Sequence, residues 1–501
     1  MHIIHIASEL APLAKVGGLA DVVLGLSREL SWKGHDVDII IPKYDCMDSE
    51  QVRDLSIEVS DLMSYYDGKW YPNTIWKGWV ENLKVYFIDP HHPQFFFSRG
   101  CFYGCEDDIE RFLYFSRASM EFLFKREIKP DIIHLHDWET AVIPLLFEDM
   151  YKKLGYSKPK TVMTIHNIDY QGKCSPRDLD HIGLSGNYYL KPERLQDNFS
   201  PDLINILKGG IVYSNAITTV SPNYANEVMT AEGGRGLQST LKLFQNKFKG
   251  ILNGIDYSYW NPEIDRFLPA HFSPREIPSS KKDRNTLDKK GFIKKILRER
   301  LNLIEDHRPI VSCITRLVPQ KGIELIKHTI KHITQKKGQF ILLGASPIPS
   351  ITAEFYELQQ VYRDHPHVHI VLHHQEELAH LIYAGSDMII VPSLFEPCGL
   401  TQMIALKYGT IPIVRKTGGL ADTVFDVDYS GKQFEDTNGY VFDHPDAKGI
   451  DSALDRAVHT WFSEQEKWHR LMINCMNIDY SWNHSSDQYL EVYQKLLDSA
   501  T

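Results

Sequence analysis

The pattern KVGGLADVV at Lys15–Val23 returns as KTGGLADTV at Lys416–Val424, with seven of its nine letters unchanged. Each copy follows a short apolar run, HIIHIASEL before the first and GTIPIV before the second, and each leads into an amphipathic stretch. Strand, Gly-Gly loop, helix is the unit that both copies imply. A glycine pair permits positive φ and close approach of a ligand to the backbone, and the unpaired N–H groups of a helix start favour an anion. One such loop is ordinary helix-entry architecture. Two of them, at opposite ends of the chain, predict two α/β domains facing a shared cleft, not a tandem array of repeats.

The runs between the copies support this division. HIIHIA, DVDIIIP, LKVYFID, DIIHLH, KTVMTIH and AITTVS alternate with longer amphipathic segments, which predicts a parallel sheet with helices on both faces. Around residues 255–300 the texture changes to YSYWNPEIDRFLPAHFSPREIPSSKKDRN, rich in Pro, Ser and charge, and the domain boundary is placed there. PIVSCITR, QFILLGAS, VHIVLHH, DMIIVPS and TIPIVRK then predict a second doubly wound sheet. The expected division is 1–256, 257–481 and a last segment, 482–501, whose helix SSDQYLEVYQKLLDS crosses back to the first domain. The fold class is therefore α/β, with two Rossmann-like doubly wound domains.

The length of 501 residues leaves room for two full cores. A formal charge of -10, spread without acidic or basic blocks, argues against nucleic acid as a partner. Seven cysteines in a long chain argue against a disulfide framework and make a reducing cytoplasm the expected compartment. The N-terminus lacks a signal-peptide pattern, and no apolar run reaches the ~18 residues of a membrane span. Oligomeric state is left open.

In open α/β sheets, ligands sit beyond the carboxyl ends of the strands. Asp137 and Trp138 follow DIIHLH there, and Asn167 follows His166 at the end of KTVMTIH. Arg316, Lys321 and Gly322 follow VSCIT, and Glu396-Pro397-Cys398-Gly399-Leu400-Thr401 follows IIVPSLF. Arg316 and Lys321 share one loop, where a guanidinium and an ammonium can converge on a diphosphate. Taken singly, each feature also has a plain reading: an exposed basic loop, a helix cap for Glu396, a satisfied core histidine for His166. Asp36-Val37-Asp38 and Asp426-Val427-Asp428 have the spacing of metal-binding pairs but read as strand edge and surface charge.

SELAPLAKVGGLADVVLGLSREL, HLHDWETA, TIHNIDYQG, TTVSPNYANEV, ILNGIDYSYWNP, TRLVPQKG, VPSLFEPCGLTQMIALKYGTIPIVRKTGGLADTV and NGYVF run in this order through nearly the whole chain. In this series the sequence resembles the glycogen and starch synthase family of retaining glycosyltransferases. The resemblance implies the GT-B arrangement of two domains. It also implies transfer of glucose from a nucleotide sugar, ADP-glucose or UDP-glucose, to the 4-hydroxyl at the non-reducing end of an α-1,4-glucan.

Carried onto this chain, the resemblance places Lys15, Gly17 and Gly18 against the donor diphosphate and sugar, with Arg316 and Lys321 on the diphosphate. It sets Cys398, Gly399, Leu400 and Thr401 beside the donor. Further, it puts His166 beside the glucose, Asp137 near it, Glu396 on the transferred sugar and Asn253 close to the donor. Glu9, Asp21, Asn167 and Tyr103 fall on the acceptor side. No cofactor, metal or membrane is implied, since cationic side chains can stabilise the leaving diphosphate.

Two positions depart from the family's pattern. Many relatives carry HAHDWH where this chain ends with Glu139, and the tyrosine that stacks on adenine aligns with His374. Nucleobase preference therefore turns on His374, with His373 or Tyr383 as alternative neighbours of the base. Other classes stay in view. A nicotinamide oxidoreductase or an NTPase would carry G-x-G-x-x-G or a Walker A loop, and neither is present. Another retaining transferase of the same fold, of the sucrose or trehalose-phosphate synthase type, and an inactive glucan-binding protein are the remaining alternatives.

Overall fold

The computed structural model describes residues 1–277 and 288–499. Residues 278–287, part of the stretch in which the boundary is placed, lie outside the described residues. The chain divides into two compact units: Met1–Gly254 with Trp482–Thr501, and Ile255–Ser481.

The first unit is built on β1 (His2–Ile6), β2 (Asp36–Pro42), β3 (Arg53–Tyr66), β4 (Lys69–Val80), β5 (Leu83–Pro90), β6 (Ile132–His136) and β7 (Lys160–Ile165). A short ribbon, β8 (Lys173–Cys174) with β9 (Ile204–Asn205), is separate, and β10 (Ala216–Thr219) and β11 (Phe248–Gly250) complete the main sheet. Its order is β11-β10-β7-β6-β1-β2-β5-β4-β3. The parallel strands are the apolar runs of the sequence, because helices cover them on both faces and nearly every residue is buried, as in β2.

Two strands at one end of the sheet lack such runs, β4 beside β5 and β3 at the edge. β3 and β4 form an antiparallel hairpin of largely half-exposed and exposed residues, so the sheet is mixed where the sequence reading expected parallel strands. Asp67 and Gly68, at φ 46° and 76°, make the two-residue turn that joins them. This is the Asp-Gly signature of a type I′ hairpin, whose twist matches the strands.

The last helix, Trp482–Asp498, belongs to the first unit and packs on the helix Gly18–Trp32. The Trp482 indole lies where a side chain at Gly25 would stand, and Tyr489 and Tyr493 are fully buried.

The second unit carries β12 (Ile310–Ile314), β13 (Gln339–Leu343), β14 (Val368–Val371), β15 (Met388–Val391), β16 (Ile411–Arg415) and β17 (Tyr440–Phe442). All are parallel, in the order β14-β13-β12-β15-β16-β17. Strand order reverses between β12 and β15 here, and between β1 and β6 in the first unit. At such a switch point two strand-exit loops lie side by side with no helix between them, which opens a site. No helix of the described residues is long and apolar enough to cross a membrane.

Candidate functional site

In the first unit the loop after β1 folds around Glu9, which is buried. Its Oε2 accepts the Val16 N–H at 2.7 Å and the Gly17 N–H at 3.1 Å, and the Tyr103 hydroxyl donates to Oε1 at 2.9 Å. The N–H of Gly17, which the resemblance sets against the diphosphate, is thus already taken by a carboxylate of the same loop, as is that of Val16. Outward remain Gly18 and Lys15, whose ammonium lies 2.8 Å from Asp21.

The neighbouring exits of β6 and β7 are joined by Asp137. Its Oδ1 accepts the His166 N–H at 2.6 Å and the Asn167 N–H at 3.4 Å, from a backbone held at φ 56°. Asp137 therefore clamps the loop that carries His166. Burial pushes its carboxyl up to about 7 against the pull of these two N–H groups. Glu139, the departure from the family pattern, is also buried, and its carboxyl is raised by burial first and by Asp137 second.

Behind His166 runs a chain of imidazoles. Nε2 of His166 lies 3.0 Å from Nδ1 of His136, whose Nε2 lies 3.0 Å from Nδ1 of His5. Beside them His134 is held between the Tyr493 hydroxyl at 2.7 Å and Thr164 Oγ1 at 2.6 Å. Burial lowers His5 and His166 to about 3 and holds His134 and His136 well below the usual imidazole range, so all four rings are neutral near pH 7. In such a chain the tautomer of each ring sets that of the next. His166 uses Nε2 toward the sheet, which leaves Nδ1 for a ligand. The sequence reading singles out His166 alone, although His134 and His136 alternate with strand period and share a face of β6. Parallel register sets His5 beside His134.

Asn253, which the resemblance sets close to the donor, is buried, and its Oδ1 has no hydrogen-bond partner.

In the second unit the loops after β12 and β15 meet. Lys321 Nζ lies 2.5 Å from Glu396 Oε2, to which the Ser393 hydroxyl donates at 2.7 Å. Lys321 is thus half of a largely buried ion pair and no lone loop cation, while Arg316 on the same loop is exposed. Glu396 makes this contact in place of capping a helix. A cavity of ≈ 40 Å³ opens among Thr315, Lys321, Ser393, Glu396, Gly399 and Thr401. Leu400 also lines it, and Cys398 is buried. A larger cavity of ≈ 160 Å³, against Lys290, Asp387 and Trp461, contains none of the motifs.

The two Gly-Gly loops are put to different uses. A Cβ at Gly17 would meet nothing within 4 Å, so the first loop is open to a ligand. In the second, a Cβ at Gly418 would stand 1.9 Å from the Glu396 carbonyl and one at Gly419 2.1 Å from that of Cys398. The Gly419 N–H also donates to the Glu396 carbonyl at 3.1 Å. The glycines of the second copy are therefore packed against backbone, where they buttress the loop that holds Glu396.

Three further expectations are corrected or refined. Asp38 and Asp426 are not surface charges: both are buried, Asp38 with Lys84 at 2.8 Å and Asp426 with Arg456 at 2.9 Å. Tyr383 is buried against Trp260 and offers no ring to a base. His374 is exposed, its Nε2 2.7 Å from Glu376 Oε2.

Comparison with known proteins matches residues 2–243 to the starch synthase catalytic domain and residues 295–472 to glycosyl transferases group 1. A glycogen synthase of Protochlamydia amoebophila is 73% identical over 99% of both chains. A probable starch synthase 4 of Arabidopsis thaliana is 49% identical over 100% of this chain and 47% of its own. Among solved structures, the catalytic domain of starch synthase IV from Arabidopsis thaliana, bound to ADP and acarbose, superposes with a TM-score of 0.95 at 50% identity over 99% of each chain. A sucrose-phosphate synthase from Thermosynechococcus elongatus, at 18% identity and a TM-score of 0.59, shares the fold alone. With its two Rossmann-like units, its strand-exit motifs in place and near-complete coverage by these relatives, the chain belongs to the glycogen and starch synthase family of GT-B glycosyltransferases.

Proposed function

We propose that this chain transfers glucose from a nucleotide sugar, with ADP-glucose preferred and UDP-glucose accepted, to the non-reducing 4-hydroxyl of an α-1,4-glucan, with retention of configuration. The observation that carries this reading is the meeting of Lys321 and Glu396 at the β12/β15 switch point, with Arg316 exposed on the same loop. Rupture of a glycosyl–phosphate bond leaves growing negative charge on the diphosphate, and cations already in place stabilise that charge most in the transition state. Arg316 and Lys321 take this role in the proposal, with Cys398, Gly399, Leu400 and Thr401 lining the donor.

Glu396 holds the sugar hydroxyls and orients Lys321. His166, neutral and with Nδ1 left over, acts as a hydrogen-bonding partner of the glucose and not as a cationic acid. Lys15, Gly17, Gly18 and Asn253 meet the donor, and Glu9, Asp21, Asn167 and Tyr103 shape the acceptor side. A relative solved with ADP and acarbose bound supports the choice of an adenine donor and a glucan acceptor.

Labelled glucose supplied as ADP-glucose is expected to enter glycogen as new α-1,4 linkages. Incorporation into fructose or glucose 6-phosphate instead would assign the chain to another transferase of this fold, and none into any acceptor would leave only glucan binding. Because side-chain cations supply the charge, exhaustive chelation is expected to leave the rate within about twofold. A rate that returns only with added magnesium or manganese sinks that part of the proposal.

His374 tests the nucleobase. Imidazole offers a smaller stacking face than phenol, so adenine keeps less of its advantage over uracil. His374→Tyr is expected to shift the kcat/KM ratio toward ADP-glucose by roughly five- to thirtyfold, for a stacking change of about 1–2 kcal/mol. An unchanged ratio removes His374 from the nucleobase site.

A further inference from the structure

Two helices of the second unit, Ile323–Gln335 and Ala447–Ser463, pack together through residues that the transfer reaction does not use. His328 and His332 stand at i and i+4 on the first helix, and Asp451 and Asp455 do so on the second. This spacing aligns side chains on one helix face. His328 Nε2 lies 2.8 Å from Asp451 Oδ1, and His332 Nδ1 lies 3.1 Å from the same oxygen. The rings stack at 5.9 Å, and one ligand atom from each of the three residues falls within 4.8 Å of the others. The second nitrogen of His332, Nε2, meets Asp455 Oδ1 at 2.8 Å, and the other oxygen of Asp455 takes the Lys336 ammonium at 3.0 Å.

Both nitrogens of His332 face carboxylate oxygens, so protons satisfy both contacts only when the ring is an imidazolium; a neutral ring would set one lone pair against another. A divalent cation among His328 Nε2, His332 Nδ1 and Asp451 Oδ1 lets a neutral His332 satisfy both contacts. Asp455 then accepts the remaining N–H of His332, the contact by which a carboxylate orients a ligating imidazole. In tetrahedral zinc sites, with bonds of about 2.0–2.2 Å, ligand atoms lie about 3.3 Å apart. The two contacts to Asp451 need open by only a few tenths of an ångström. Half-exposed His328 and Asp451 leave a further position to water.

A second histidine cluster does not share this character. His5, His134 and His136 converge as well, but both nitrogens of His134 and of His136 are already bonded to Tyr493, Thr164, His166 and His5.

We propose that His328, His332 and Asp451 bind one zinc-class divalent ion, oriented by Asp455, which fastens the helix following the Arg316–Lys321 loop to the helix Ala447–Ser463. The ion is structural and lies outside the transfer chemistry.

Chelator-stripped full-length protein is titrated with zinc chloride by calorimetry and with cobalt(II) by visible absorption. The wild type is expected to bind an equivalent that His332→Gln and Asp451→Asn weaken at least about tenfold, and that Asp455→Asn weakens about 10–100-fold. Zinc is expected to raise the melting temperature of the wild type and not of His332→Gln, and cobalt to give intense tetrahedral bands in the wild type alone. Equal uptake by wild type and His332→Gln overturns the site. So does an absence of uptake, or a melting temperature that the substitutions lower in metal-free buffer while zinc leaves the wild type unmoved; the cluster is then an ion-pair network only.

Discussion

Lys321→Ala is expected to lose about 10²–10³-fold in kcat, the scale on which a single group that stabilises transition-state charge is felt. It is also expected to lose stability, because the substitution leaves the Glu396 carboxylate, 8% exposed, with the Ser393 hydroxyl and no countercharge. Breaking a buried pair from one side costs about 3–5 kcal/mol. Lys321 is 18% exposed, and solvent screening reduces that figure to about 2–3 kcal/mol. For a unit of this size the melting temperature should fall by roughly 5–10 °C.

The double substitution Lys321→Ala with Glu396→Gln removes the stranded charge. It is expected to recover much of the melting temperature and none of the transfer. Calorimetry and incorporation of labelled glucose into glycogen separate the two effects. Near-wild-type turnover of Lys321→Ala at saturating donor would remove Lys321 from the diphosphate, and a double variant no more stable than the single one would deny that the pair is what holds Glu396.

Gly418→Ala is expected to cost about 2–5 kcal/mol, the combined scale of a strained left-handed backbone and an overpacked site. Its φ is +46°, and the new methyl would lie 1.9 Å from the Glu396 carbonyl, a backbone atom that cannot swing aside. Transfer should fall with it, because relief of the clash displaces Glu396. Gly17→Ala, at the equivalent place in the first copy, meets nothing within 4 Å and should change stability by less than about 0.5 kcal/mol. In the proposed function it should instead raise KM for the donor. Denaturant unfolding and donor kinetics on the two variants provide the check. Comparable stabilities would contradict the division of labour between the loops, and an unchanged KM in Gly17→Ala would take the first loop off the donor.

These two sites show which parts of the molecule can be read from the chain and which cannot. Runs such as DVDIIIP and TIPIVRK announce strands buried on both faces, and motifs at their exits fall where ligands of such sheets are held. β3 and β4 escape that reading because a strand with one wet face carries no apolar run, and only Asp67-Gly68 marks the hairpin. The unlike fates of two nearly identical loops are invisible in the letters. What differs is the neighbour: open space beside Gly17, the Glu396 and Cys398 carbonyls beside Gly418 and Gly419. In the same way the pairing of Lys321 with Glu396, 75 positions apart, depends on strand order and on no local signal. The imidazole chain was half legible, since period-2 histidines mark a shared face, but the presence of His5 beside them follows from register alone.

The position of the last helix bears on how the chain is made. A ribosome that has finished Gly254 has delivered every strand of the first unit but not the helix Trp482–Asp498 that covers it. Until that helix emerges, the groove at Gly25 lacks the Trp482 indole and His134 lacks the Tyr493 hydroxyl. At ~5–20 residues per second the wait is about 10–45 s, during which the second unit is synthesised and has all of its own strands. The second unit can therefore complete its core first, although its sequence comes later. The nascent chain therefore carries an unfinished apolar face through nearly half of its synthesis, and a stop codon placed just before Trp482 would leave that face exposed for good.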